Sequence, residues 1–247
     1  MNSDKTLPKT IHYCWFGRNP LPELAKKCIN SWKKFLPDYQ IKEWNEDNFD
    51  VNMSAYTKEA YRLKKYAFVS DYARIWILYH YGGIYFDTDV EVIAPMDNII
   101  SAGPFLGREK GEDGFDSNIA FGLGMSAFPK MSFLGELLDI YNHRHFAYWS
   151  GKNPETIVNF VSHIINSDKK NIEHLESGID KYRDFFIHPS QVFCPMSYYT
   201  GETHITPDTI SVHHYTSLWV SMEDNFVEKF KRHLSIFTAR LLTTLGL

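Results

Sequence analysis

Apolar positions alternate between short extended runs and a helical rhythm. Residues 9–16, Lys-Thr-Ile-His-Tyr-Cys-Trp-Phe, are β-branched and aromatic and stop at Gly17, with Asn19, Pro20 and Pro22 following, which predicts a buried strand entering a loop. Leu24, Cys28, Ile29, Trp32 and Phe35 recur as one helical face over 23–35, closed ahead of Pro37. Residues 39–44 alternate about Ile41 as a half-buried strand should. Helices are expected over 54–65 and 68–81, the second with Phe68, Tyr72, Ile75, Trp76 and Tyr79 on one face and Gly82-Gly83 as its stop. Ile84-Tyr85-Phe86 then reads as an apolar strand running into Asp87-Thr88-Asp89-Val90, and Glu91-Val92-Ile93 resumes an alternating strand that Pro95 closes.

Beyond this point the pattern weakens. Residues 101–117 are rich in Gly, Asp, Glu and Ser and read as a loop, 118–125 as a strand and 131–141 as a helix. A helix over 154–165 carries Ile157, Val158, Phe160, Val161 and Ile164; residues 166–184 are polar, and 185–220 form short strands and turns punctuated by Pro189, Pro195, Gly201 and Pro207. At the end of the chain Phe226, Phe230, Leu234, Phe237, Leu241 and Leu245 recur at helical spacing among Lys229, Lys231, Arg232 and Arg240. Such a basic amphipathic helix can lie on an anionic membrane surface, or dock on the core or on a partner subunit; both readings stay open. The expectation is one α/β domain over 1–220 followed by an amphipathic helix over 221–247.

Composition adds exclusions. With 247 residues, 44% hydrophobic and 23% charged, the chain suits a folded domain with a real core rather than disorder or a fibre. Its net charge of −4, without a basic stripe, argues against a nucleic-acid partner. Cys14, Cys28 and Cys194 form no CxxC, so neither a disulfide framework nor a thiolate zinc site is indicated, and a reducing compartment fits. No apolar leader or run of about 20 apolar residues is present, so a cytoplasmic location is expected.

Candidate chemistry centres on Asp87 and Asp89. Separated by one residue in an extended segment, their carboxylates point to the same side and repel. Mg²⁺ or Mn²⁺ compensates such a pair and keeps positions open for a diphosphate; the plainer reading is a solvated turn. Asp71 and Arg74, three apart, share a helix face and in isolation would be an ordinary ion pair. The Gly82-Gly83 turn can bring that face beside Asp87, so helix, turn, strand and DxD form one candidate site. Two other classes fit part of the pattern. A haloacid-dehalogenase-type phosphatase would use Asp87 as nucleophile, but that motif normally opens the first strand. A carbohydrate-binding module without catalysis would use the aromatic surplus, yet leaves the DxD with Asp71 and Arg74 unexplained.

Ser70-Asp71-Tyr72-Ala73-Arg74 followed by Gly82-Gly83-Ile84-Tyr85-Phe86-Asp87-Thr88-Asp89-Val90 closely resembles the SDxxR…GGxYxDxDV signature of the DXD-containing sugar transferases of glycosyltransferase family 32, a group related to the glucosyltransferase domain of large clostridial toxins. Residues 8–17 resemble that family's opening PKxIHxxWxG, and His213-His214-Tyr215-Thr216-Ser217-Leu218-Trp219 its closing His…Ser-x-Trp element. The resemblance covers about residues 7–220.

What the resemblance implies is a GT-A fold, a Rossmann-like mixed sheet flanked by helices, and metal-dependent hexosyl transfer with retention. On it, Trp15 stacks on the nucleotide base, Asp71 and Arg74 bind donor sugar hydroxyls with Arg74 also near the diphosphate, and Tyr85 and Asn118 help shape the donor pocket. Asp87 contacts ribose or sugar hydroxyls and reaches the metal through water, and Asp89 ligates the metal. His214 and Ser217 complete the Mn²⁺ or Mg²⁺ shell, with Ser217 and Trp219 at the diphosphate; a pair of strand histidines is the plainer reading of His213-His214. Asp71, Arg74, Asp87 and Asp89 are thus the expected catalytic set. No motif residue stands out as a covalent nucleophile, so front-face attack by the acceptor hydroxyl, with the departing phosphate as base, is expected. UDP-galactose or UDP-glucose is favoured as donor, with GDP-mannose the alternative. The implied acceptor is a glycan on a polyprenyl diphosphate in bacterial surface polysaccharide synthesis, met at the inner face of the cell membrane.

Overall fold

The computed structural model describes residues 6–146 and 156–216. The first strand, β1 (Thr10–Cys14), pairs in parallel with β2 (Gln40–Trp44) and with β3 (Gly83–Tyr85), and β3 pairs antiparallel with β7 (Met125–Ala127), giving a mixed four-stranded sheet ordered β2-β1-β3-β7. Parallel neighbours need crossover connections, and helices supply them. Helix α1 (Glu23–Phe35) follows β1 with Cys28, Ile29 and Trp32 buried, as the stripe predicts. The Trp32 indole donates to the Val90 carbonyl at 2.8 Å, tying α1 to the segment after the DxD.

Helix α2 (Ala55–Arg62) starts in a capping box, with Ser54 accepting from the Thr57 amide and the Thr57 hydroxyl accepting from the Ser54 amide. Helix α3 (Tyr66–Tyr81) is apolar nearly all round, and it is buried nearly all round, Asp71 and Arg74 included. It ends on Gly82 at φ +64° and turns through Gly83 at φ +93°, both in the region glycine tolerates. A Cβ on Gly83 would overlap the Thr10 carbonyl, so the turn passes close against β1. His12 fastens this corner. It accepts from the Trp44 indole at Nδ1 (3.0 Å), which leaves Nε2 as the donor to the Gly82 carbonyl (3.0 Å). Burial holds its pKa down, to about 4, so the ring is neutral.

After the DxD, β4 (Val90–Val92) pairs antiparallel with β11 (Ser211–His213), and α4 (Asp97–Ala102) leads to a second sheet ordered β6-β5-β10-β9-β8. Its strands are β5 (Phe105–Lys110), β6 (Asp116–Ala120), β8 (Ile172–His174), β9 (Asp180–Tyr182) and β10 (Phe185–His188). Helices α5 (Ser132–Asn142), α6 (Ile157–Ser167) and α7 (Ser190–Phe193) complete the described chain. The two sheets share a core in which Tyr85 and Met125 of the first join Leu106 and Ile187 of the second. The mixed α/β architecture expected from the pattern is present.

Two expectations are corrected. The stretch 101–117, expected as loop, contains β5 and the start of β6: Phe105 and Leu106 are fully buried, and β5 pairs on both sides, with β10 and β6. Its far half, Arg108-Glu109-Lys110, is polar because it reaches a cavity and an ion pair rather than core, and that hid the strand. Arg108 donates to Asp180 at 2.6 Å. The polar tract 166–184 likewise contains β8 and β9, at the edge of this sheet where polar faces are tolerated. The helix expected over 221–247 lies outside the described residues, among which no helix is long and apolar enough to cross a membrane. All three cysteines are buried and free.

Candidate active site

A cavity of about 490 Å³ opens where the two sheets meet. Its walls are the end of β1, the buried face of α3, the DxD segment, Glu109 of β5, the loop around Gly122, the start of α6, His213 at the end of β11, and Tyr215 and Thr216 just after it. Trp15 stands at the end of β1, half-buried, its indole donating to the Asn19 carbonyl at 2.6 Å. The chain then turns at Gly17 (φ +96°), where a Cβ would run into the Tyr66 ring.

Arg74 organises the α3 side. Its side chain is 5% exposed and lies over the Tyr85 ring, 5.0 Å from the centroid. One guanidinium nitrogen meets Asp71 at 3.0 Å and Asp87 at 3.2 Å, the other donates to Asp87 at 3.2 Å, and Nε donates to the Ser70 carbonyl at 3.1 Å. The planar fork therefore spans two carboxylates at once. Burial raises the Asp71 pKa to about 6 against the pull of Arg74, and the Asp87 charge adds to the rise. Tyr85 does not line the cavity; from below, its hydroxyl donates to Asp87 at 3.0 Å. Gly122 closes this side. Its carbonyl accepts from the Asp87 amide at 3.0 Å, and a Cβ there would collide with the Asp87 carboxylate.

Asp89 is held from the other end of the chain. One oxygen meets His213 Nε2 at 3.1 Å; the other accepts from the Thr216 amide at 3.0 Å and the Thr216 hydroxyl at 2.9 Å. Burial pushes this carboxyl up, yet His213 and the Thr216 donors outweigh it and hold Asp89 well below the usual carboxylate range. Burial would likewise depress His213, but the charge and hydrogen bond of Asp89 raise it. The backbone bends at Tyr215 (φ +48°), which returns Thr216 to Asp89.

The donor set fits a hard divalent cation. A carboxylate offers about four lone-pair positions, of which Arg74 and Tyr85 use three on Asp87, and His213 and Thr216 three on Asp89. Each aspartate keeps room for one further ligand. Among the described residues no three His, Cys, Asp or Glu side chains cluster as a metal cage. Two carboxylates are a common protein contribution to Mg²⁺ or Mn²⁺, which take water and diphosphate oxygens for the rest.

Trp15, Asp71, Arg74, Asp87 and Asp89 thus share one cavity, with Tyr85 beneath it. Two of the expected residues are not brought to it. His214 is turned away and meets Glu91 at 2.9 Å, a carboxylate that also pairs with Lys27; the imidazole at Asp89 is that of His213. Consecutive residues of extended chain face opposite ways, so only one of the pair can reach the DxD. Asn118 on β6 does not line the cavity; its amide faces Asn159 of α6 at 3.4 Å. Ser217 and Trp219 lie outside the described residues. The sequence reading overlooked Thr216, Tyr198 and Glu109, which line the cavity. Thr216 had a signal, a hydroxyl beside the singled-out Ser217. Glu109 had none while its strand read as loop.

Comparison with known proteins bears on this site. Residues 22–106 match the family model described as "Glycosyltransferase sugar-binding region containing DXD motif", a segment that holds Asp71, Arg74, Asp87 and Asp89. The chain is 30% identical over 154 residues to inositol phosphoceramide mannosyltransferase 1 of Schizosaccharomyces pombe, covering 57% of this chain and 45% of that protein. It is 28% identical over 130 residues to inositol phosphoceramide mannosyltransferase 3 of the same yeast, covering 48% and 34%. The chain therefore spans less than half the length of these curated relatives. Among solved structures, the PaToxG glycosyltransferase is similar with a TM-score of 0.42 at 20% identity, over 54% of this chain and 59% of that one. A glycosyltransferase involved in glycosylation of the major capsid of PBCV-1 gives 0.49 at 12% identity, over 90% and 100%.

Proposed function

We propose that this chain is a glycosyltransferase, a reading supported by the match of residues 22–106 to the DXD sugar-binding region, and that it moves a hexose from a nucleotide sugar to a hydroxyl of a glycan or lipid acceptor. The observation that carries the reading is the meeting of Asp87 and Asp89 with a fork-bonded Arg74 in one cavity that Trp15 also lines. Bound there by Asp87 and Asp89, Mn²⁺ or Mg²⁺ would neutralise charge on the diphosphate. Arg74, locked by two carboxylates and Tyr85, presents fixed positive charge that needs no reorganisation as the leaving group departs. Asp71 accepts hydrogen bonds from donor hydroxyls, and the Trp15 indole offers a face for the base. Ser217 and Trp219 at the diphosphate, and retention of configuration, rest on the family resemblance.

Two donors compete. The resemblance at Trp15 favours UDP-galactose or UDP-glucose, whereas the similarity to two yeast inositol phosphoceramide mannosyltransferases favours transfer of mannose, as from GDP-mannose, to an acceptor such as a phosphoceramide. The polyprenyl-diphosphate acceptor, the bacterial surface polysaccharide pathway and the inner-membrane location belong to the first reading. The phosphatase reading has no counterpart among the relatives compared. The test is nucleotide release from a panel of UDP- and GDP-sugars with Mn²⁺, with Asp89→Asn as control. Release from one donor, dependent on metal and lost in the variant, is expected; release indifferent to Asp89→Asn overturns the metal role. For the membrane contact, removal of residues 222–247 is expected to free the protein from anionic liposomes, and unchanged binding overturns it.

A further inference from the structure

One carboxylate in the cavity is left over. Asp71, Asp87 and Asp89 are each satisfied by Arg74, Tyr85, His213 or Thr216, whereas the Glu109 side chain has no hydrogen-bond partner among the described residues. It lines the same cavity, on the wall it shares with His213 and Tyr215, and both feel its charge. Its strand is no mobile loop: β5 is bonded on both sides, by β6 and β10. Glu109 is half-buried and its carboxyl opens to the cavity; burial raises its pKa and the His213 charge pulls it back. Its position makes physical sense when a hydroxyl enters the cavity and supplies the missing donor.

We propose that Glu109 is a catalytic residue of this site: its carboxylate receives the hydrogen bond, and then the proton, of the acceptor hydroxyl that attacks the donor sugar. This rests on the glycosyltransferase reading above. In the step, the hydroxyl oxygen bonds to the anomeric carbon and the bond from that carbon to the diphosphate oxygen breaks. The electron pair leaves with the diphosphate, and the hydroxyl proton passes to Glu109, which later gives it to solvent. The departing phosphate is then not the base. Because Glu109 stands beside His213, on the Asp89 side, a hydroxyl bonded to it approaches from where the diphosphate would be held.

The test uses the full chain, Mn²⁺ and the donor panel, with water or added methyl hexosides as acceptor. Glu109→Gln keeps the shape and removes the base, and its affinity for the nucleoside diphosphate checks that the site is folded. A fall in kcat of about 100-fold is expected, with the donor KM held within about twofold. Formate should restore part of the activity of Glu109→Ala, whose cavity has space for it, and none in Glu109→Gln. An unchanged kcat, a raised donor KM with kcat preserved, or a glycosyl adduct on Glu109 in mass spectrometry overturns the assignment. If wild type releases nucleotide from no donor, the glycosyltransferase reading itself fails, and the assignment with it.

Discussion

The two aspartates of the DxD segment are held in opposite ways. Asp87 is fixed by Arg74, 13 residues away in sequence, and by Tyr85, two residues away, both part of the continuous run of helix α3, glycine turn and strand β3. Asp89 is fixed by His213 and Thr216, 124 and 127 residues away. Neighbouring carboxylates therefore report on different parts of the fold. The first belongs to a buried, locally built network, and the second depends on the docking of β11 beside β4. Asp87 is held without residues 213–216 and Asp89 through them, so the site divides into a locally built half and a half that β11 completes, joined by the Asp87 charge that reaches His213.

Arg74→Lys should break the local half most severely. An ammonium cannot span Asp71 and Asp87 as the fork does, so at least one buried charge-assisted bond is lost, costing about 2–3 kcal/mol of stability. Donor turnover should fall by about 100-fold or more. Denaturant melts and nucleotide release measure the two effects, and a variant close to wild type in both would show that Arg74 organises nothing. Gly122→Ala attacks the same half through space. Its methyl must displace the Asp87 carboxylate, and overpacking of this kind costs about 2 kcal/mol. Turnover should drop with it, while the stability that Thr216 lends through Asp89, read as the cost of Thr216→Val, should be the same in both backgrounds.

The same division decides what could be read from the sequence. The local half was legible, since the α3 stripe, Gly82-Gly83, the apolar Ile84-Tyr85-Phe86 and the DxD are adjacent, and each dictates the next by periodicity and turn chemistry. The long-range half was not. Whether His213 or His214 faces Asp89 depends on the register of β11 against β4, which no local pattern specifies. Glu109 became a candidate only once β5 was seen to pair with β10, and the Gly- and Asp-rich composition of that stretch argued for loop. Asn118 was placed by analogy, and α6 draws its side chain elsewhere.

Thr216→Val probes the long-range half with a smaller effect. It removes the hydroxyl bond to Asp89 and leaves the amide bond, so stability should fall by about 1.5 kcal/mol. Because the depressed pKa of Asp89 adds stability that is lost as pH falls, the deficit should shrink in strong acid, where wild type loses the same contribution. A constant deficit down to the acid transition would indicate that Thr216 acts by packing and does not tune the carboxylate.

The smallest effect has the opposite sign and concerns Asp71. Its carboxyl is raised to about 6 because burial opposes the charged form more than Arg74 favours it. For an acid raised in the folded state, stability is complete below the unfolded pKa and is lost as pH climbs from there through the folded pKa. Asp71→Asn avoids that loss, although it gives up the contact with Arg74, which keeps Asp87. The variant should therefore gain about 1 kcal/mol over wild type at roughly pH 8 and nothing at roughly pH 3, while donor turnover falls. Thermal melts of both proteins across that range, with nucleotide release alongside, test the pairing of these outcomes. Melting curves that stay parallel at every pH would show that Asp71 carries no penalty for its charge, and that the local half of the site is no less relaxed than the half built by β11.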